Sequence, residues 1–136
     1  LLSQGIVPIA NEDDAVSLSM SMFTDNDELA SLVAELIHAD MLILLTDTDG
    51  LYDGHPDDDD SSVIKSVSTD QDVEKYIQSS DKKEGEGRGG MDSKLKVAKA
   101  TAAKNIPTYI ANGKIDDNII DIVHGKNVGT RIYHDE

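Results

Sequence analysis

No cysteine occurs in the 136 residues, which excludes disulfides, thiolate metal sites and cysteine nucleophiles and suits a reducing compartment. No lysine or arginine precedes Lys65. That, with a net charge of −15 for the whole chain, argues against binding nucleic acid through a basic face, or an anionic membrane surface. No apolar run approaches the ~20 residues of a membrane-spanning helix. No basic region precedes an apolar stretch, so the start does not read as a signal peptide. No internal repeat is visible.

What is present describes one ordinary folded domain or a piece of one. Hydrophobic residues make up 38% and charged residues 29%, too apolar for a disordered tail. Acids outnumber bases 27 to 12, a net charge of −15. Residues 1–64 hold 15 of those acids and no base, so the whole imbalance sits there and the remainder is neutral. A wholly anionic segment needs cations from salt, a metal or protein outside the chain. The opening Leu1-Leu2-Ser3-Gln4-Gly5 reads as the last helical turn before a C′ glycine. The expectation is a soluble fragment that begins inside a larger domain.

Apolar periodicity divides the chain into alternating strands and helices. Residues 6–10 form a short apolar run, a strand ending in the polar loop Asn11-Glu12-Asp13-Asp14. Val16, Leu18, Met20 and Met22 alternate with serines, the period-2 pattern of a half-exposed strand. Leu29, Leu32, Val33, Leu36 and Ile37 follow Thr24-Asp25-Asn26-Asp27 at helical spacing, with capping residues and acids at the N-terminus. Residues 41–45 are continuously apolar, as expected of a central parallel strand covered on both faces. A loop over 46–62 leads to a strand at 63–67, a short helix at 73–77 and a glycine- and charge-rich loop at 81–90. Met91, Leu95, Ala98 and Ala102 mark a helix, followed by a strand at 107–111, a helix at 115–123 and a strand at 128–133. The order implies an α/β layered sheet, largely parallel, whose ligands sit at the carboxyl ends of strands.

Gly85-Glu86-Gly87-Arg88-Gly89-Gly90 formally fits G-x-G-x-x-G, but it follows a polar stretch rather than a strand, and residue 110, where a ribose-binding acid would fall, is Ile. A phosphate loop of the Walker type is also excluded, because Met91-Asp92 follows the last glycine. What survives is close backbone approach and a helix N-terminus facing an anion. Lys94, in the first turn, opposes the dipole, where an acid would serve a purely structural helix better. A phosphate site and a flexible loop both remain open on these residues. Thr46-Asp47-Thr48-Asp49-Gly50 resembles a calcium loop, yet its first and twelfth positions fall on Leu45 and Pro56, which rejects an EF-hand. The acids at 57–60 read as a solvated loop, and His38, His55, His124 and His134 show no ligand spacing. Asn11, Asp14, Asn26 and Asp27 are each ordinary cap or turn residues. Together, two such clusters after strands could hold an ammonium group and an organising carboxylate.

The set Ile9-Ala10-Asn11-Glu12-Asp13-Asp14-Ala15-Val16, Asp25-Asn26-Asp27, Leu44-Leu45-Thr46-Asp47 with Gly50-Leu51-Tyr52, and Gly89-Gly90-Met91-Asp92-Ser93-Lys94 resembles the glutamate 5-kinases of the amino-acid-kinase family. The resemblance covers nearly the whole chain. It implies an α/β three-layer sandwich with an open, mainly parallel sheet, present as a partial domain: residues 1–136 would be the C-terminal half of the kinase domain. The N-terminal half, with a second lysine and a glycine-rich turn, and any RNA-binding-like C-terminal domain would lie outside it. The implied activity is ATP- and Mg2+-dependent phosphorylation of the γ-carboxylate of L-glutamate, the first step of proline biosynthesis, in a cytoplasmic homo-oligomer. Alternatives are another amino-acid kinase, of acetylglutamate kinase or aspartokinase type, or a non-catalytic amino-acid or nucleotide sensor on the same fold.

By the same resemblance Asp14, Asn26, Asn11 and Asp25 bind glutamate. Thr46, Asp47, Arg88, Gly89, Gly90, Met91, Asp92, Ser93 and Lys94 bind the nucleotide. Lys94 is catalytic, and Asp27 orients the catalytic lysines. No protein residue is implied as a metal ligand. Three positions depart from the family pattern: Asp13 replaces Asn, Thr24 replaces Gly, and Arg88 replaces a small hydroxyl residue.

Overall fold

The computed structural model describes residues 1–11, 26–81 and 90–135, with no account of side chains at 78–81. Among the described residues four strands form one sheet: β1 (Leu42–Thr46), β2 (Ser66–Ser68), β3 (Thr108–Asn112) and β4 (Thr130–Tyr133), in the spatial order β1-β3-β4-β2. The described α-helices that accompany it are α1 (Asn26–Leu36), α2 (Glu74–Asp81), α3 (Met91–Ala102) and α4 (Asn118–Val123). The expected turn at the start is a single 3₁₀ turn, Leu2–Gln4, closed by Gly5 at φ 73°.

The sheet is mixed. β1 pairs with β3 and β2 with β4 in parallel, whereas β3 and β4 run antiparallel. Register places Leu44 beside Ile110 and Val67 beside Ile132, so their side chains share one face. α3 covers that face with Leu95, Val97, Ala98 and Ala102, whose period-3/4 spacing forms the apolar stripe. Leu95, Ile110 and Ile132 are fully buried. Each contributes about 1.5–3 kcal/mol of apolar burial.

α1 joins α3 through a hydroxyl pair, Ser31 and Thr101, 2.6 Å apart. Thr101 donates to the Val97 carbonyl at 2.8 Å, so its single proton is committed and Ser31 is the donor between the two.

Several elements differ from the sequence reading. Residues 6–10 form no strand, and Val7 and Ile9 are 82% and 95% exposed. A strand needs a ladder partner, and among the described residues β1 pairs with β3 alone. β1 is therefore the edge of the described sheet, not a central strand: Leu44 is buried, but Leu45 is 43% exposed. The strand expected at 63–67 starts late, because Val63 makes only an isolated bridge to Tyr52 and the Ile64 carbonyl accepts from the Thr130 hydroxyl at 2.6 Å. α4 starts at Asn118 rather than 115, since Asp117 takes a left-handed φ of 68° that no α-helix continues through. The alternating segment at 16–22 lies outside the described residues.

Candidate active site

α1 and α3 each return directly into a strand, through residues 37–41 and 103–107. A helix that folds back this tightly places its N-terminus at the carboxyl end of the strand that follows. The first turns of α1 and α3 are thereby brought to the edge where β1 and the parallel β3 end, at Thr46 and Asn112. Two positive helix ends and the polar residues after two strands share one rim.

Asp27 lies in the first turn of α1 and Lys94 in the first turn of α3. The Lys94 ammonium donates to both oxygens of Asp27, at 3.1 and 2.9 Å. Their side chains are only 18% and 20% exposed, so solvent screens this contact far less than a surface ion pair. The carboxylate sits at a favourable helix end, while the lysine opposes its own dipole and is held there by Asp27. The bidentate contact engages two of the three ammonium protons. The result is a fixed cation at a rim of helix N-termini.

Gly90 precedes α3, with φ −62°, and a Cβ built there meets nothing within 4 Å among the described residues. Its carbonyl accepts from the Lys94 amide at 3.2 Å, closing the first turn. Met91 packs its side chain against the core, and Asp92 pairs with Lys96 at 3.3 Å. At β1, Thr46 is half-buried and Asp47 exposed, and the Thr46 hydroxyl donates to the Asp47 carboxylate at 3.5 Å.

Asn11 and Asn26 are both exposed. Ala10 and Asn26 line one apolar groove of about 390 Å³, whose walls include Leu29, Val33 and Ile37 of α1 and its extension. The structure thus brings together Lys94 with Asp27, and the neighbourhood of Asn11 with Asn26. Asp14, Asp25, Arg88 and Gly89 lie outside the described residues, as do the departures at Asp13 and Thr24.

Three features escaped the sequence reading. Gly50 has φ 147°, and a Cβ there would stand 2.7 Å from the Thr130 hydroxyl, so only glycine lets the loop after Asp47 close onto β4. Leu51, next along, is anchored by its amide to that hydroxyl at 2.9 Å. The Asn112 side chain reaches Asp49 at 3.0 Å, joining the loops after β1 and β3. The third is Glu74, whose carboxyl is held down at about 2, against an ordinary 4.5, chiefly by the hydrogen bond from Lys99 and despite opposing burial. A lone Asn or Thr at a strand end gives no sequence signal for such contacts, because each partner is some 60 or more residues away.

The model of the amino acid kinase family matches residues 1–112. The chain belongs to that family. It is 43% identical to glutamate 5-kinase of Bacteroides thetaiotaomicron over 90% of this chain and 34% of that protein. It is 41% identical to delta-1-pyrroline-5-carboxylate synthase of Solanum lycopersicum, over 99% of this chain and 20% of that protein. The chain thus spans about a third or less of the length of these relatives. Uridylate kinase from Archaeoglobus fulgidus superposes with a TM-score of 0.60 at 28% identity, covering 83% of this chain and 48% of that one. Isopentenyl phosphate kinase of T. acidophilum shares the fold, with a TM-score of 0.58 at 23% identity.

Proposed function

We propose that the protein containing this segment is a glutamate 5-kinase, an ATP-dependent phosphotransferase acting on the γ-carboxylate of L-glutamate as the first step of proline biosynthesis. The observation that carries this reading is the Lys94–Asp27 contact at the joined N-termini of α3 and α1. Relatives named glutamate 5-kinase, at 38–43% identity, favour it over an acetylglutamate kinase, an aspartokinase or a non-catalytic sensor.

The chemistry suits these residues. A carboxylate nucleophile is already ionised, so no general base is required. The transferring phosphoryl group instead needs cations and a fixed in-line geometry. Lys94 supplies a positive charge whose direction Asp27 sets. The backbone from Gly90 to Ser93 opens α3 toward the phosphates, and Arg88 and Gly89 extend that segment in sequence. Thr46 and Asp47 border the same rim and take the nucleotide. Glutamate falls to Asn11, Asp14, Asp25 and Asn26, where an acid meets the substrate ammonium. Among the described residues no three or more His, Cys, Asp or Glu side chains converge on a metal position. In this reading magnesium enters as part of the MgATP substrate, bound through phosphate oxygens.

Residues 1–136 form the C-terminal half of the kinase domain in this reading. Supporting it, Val7, Ile9, Leu36 and Ile37 are all more than half exposed, an apolar surface that an isolated domain rarely leaves open. Cytoplasmic location and homo-oligomeric assembly belong to the same proposal. No described helix is long and apolar enough to cross a membrane. The deciding experiment is a substrate panel on the complete protein with MgATP. Phosphorylation of free glutamate is expected, and turnover of acetylglutamate or aspartate instead would overturn the assignment.

A further inference from the structure

Asn112 ends β3 directly beside Thr46, the last residue of β1, and every polar group of its side chain is engaged. The side-chain amide donates to Asp49 Oδ1 at 3.0 Å, and the side-chain carbonyl accepts from the Lys114 amide at 2.9 Å. Its main-chain carbonyl accepts from Asn118 Nδ2 at 3.0 Å, and Asn118 is itself only 8% exposed. One residue further on, the Gly113 amide donates to the Thr46 carbonyl at 2.9 Å. Asp49 in turn hydrogen-bonds Tyr52, on the far side of Gly50.

These contacts make a cross-strand brace. The chain from Thr46 to Gly50 is tied at its start by the Gly113 amide, near its end by the Asn112 side chain, and beyond it by Leu51 on Thr130. Asp47 stands between the first two ties; it is exposed, and the Thr46 hydroxyl at the end of β1 reaches it only at 3.5 Å. Without the Asn112–Asp49 bond the segment would lose its tie to β3 between those ends, and Asp47, left with the long Thr46 contact, could swing. Resting on the reading of Thr46 and Asp47 as nucleotide-binding, the geometry points to Asn112 as a positioning residue for the nucleotide, acting through Asp49 on Asp47.

The bond has a direction that can be reversed. Asn112→Asp sets two carboxylates face to face and breaks it, while still accepting from the Lys114 amide. Adding Asp49→Asn to that variant restores a donor–acceptor pair with the roles exchanged. The experiment measures steady-state kinetics of the complete protein, with Asp47→Ala as reference. Asn112→Asp is expected to raise KM for MgATP about tenfold, the scale of one hydrogen bond to a charged group. KM for glutamate should stay within about twofold, since the brace sets the nucleotide segment alone, and the double variant should return toward the parent. A merely structural bond would instead lower the urea midpoint and shift both KM values together or neither, which overturns the inference. If Asn112→Asp does not fold, Asn112→Ser, too short to reach Asp49, carries the same comparison. An effective Asp47→Ala beside a silent Asn112 variant defeats this inference alone. A silent Asp47→Ala defeats the nucleotide reading and this inference with it.

Discussion

Lys94 and Asp27 stand 67 residues apart in sequence and meet in a bidentate contact of 2.9 and 3.1 Å across the first turns of two helices. The contact places a positive charge where a structural helix would favour a negative one.

The first prediction follows from that charge. In the complete protein, Lys94→Ala is expected to lower kcat by roughly 10²–10³, the usual cost of removing one preorganised donor to a transition state. KM for glutamate should move little, because the amino acid is held by other residues. Asp14→Ala should do the converse, raising KM for glutamate with little effect on KM for ATP. Were Lys94 only a surface helix residue, its loss would change stability within about 0.5 kcal/mol and leave the rate alone. Steady-state kinetics of the two variants separates the cases, and an unchanged kcat for Lys94→Ala removes the catalytic assignment.

A second prediction concerns acid. Glu74 binds Lys99 at 2.7 Å, and its carboxyl is lowered from 4.5 to about 2, chiefly by that hydrogen bond. The unfolded chain takes up this proton at the higher pH, so the contact stabilises the fold fully above about pH 4.5 and is lost as pH falls toward 2. Glu74→Gln should flatten the urea midpoint across that window relative to the parent. Parallel curves for the two proteins would show that the pair contributes nothing to acid stability.

The third separates two glycines with similar backbones. Gly129 has φ 69°, and a Cβ there would run into the Ile110 carbonyl oxygen, whereas a Cβ at Gly5, φ 73°, meets nothing within 4 Å among the described residues. Gly5→Ala meets only the left-handed penalty of about 1–2 kcal/mol. Gly129→Ala adds a backbone clash inside the sheet and is expected to cost more, about 2–4 kcal/mol. Thermal unfolding of both variants tests the order, and equal losses would mean the clash relaxes freely.

The fourth concerns the segment itself. The 136 residues by themselves are expected to show no glutamate-dependent ADP release with MgATP, since the half-domain reading puts part of the phosphate site outside them. Turnover near the ~10 s⁻¹ of a typical enzyme would defeat the half-domain reading.

Local periodicity made most elements legible. α3 spans Met91–Ala102, as the spacing of Met91, Leu95, Ala98 and Ala102 requires, and β1 and β3 sit within a residue of their apolar runs. Such patterns are visible because neighbours along the chain share one surface, and the motif set around Lys94 and Asp27 carried the family for the same local reason. Pairing partners carry no such mark. The apolar run at 6–10 has the composition of a strand and is not one, since strand formation depends on a second strand elsewhere. Likewise the continuous apolarity of residues 41–45 could not say whether β1 was central or at the edge. Only the tertiary structure decided the antiparallel step between β3 and β4, the exposure of Leu45, and the reach of Asn112 to Asp49. Each depends on atoms brought together from distant parts of the chain, and side-chain periodicity records which face a residue lies on but not what will lie against it.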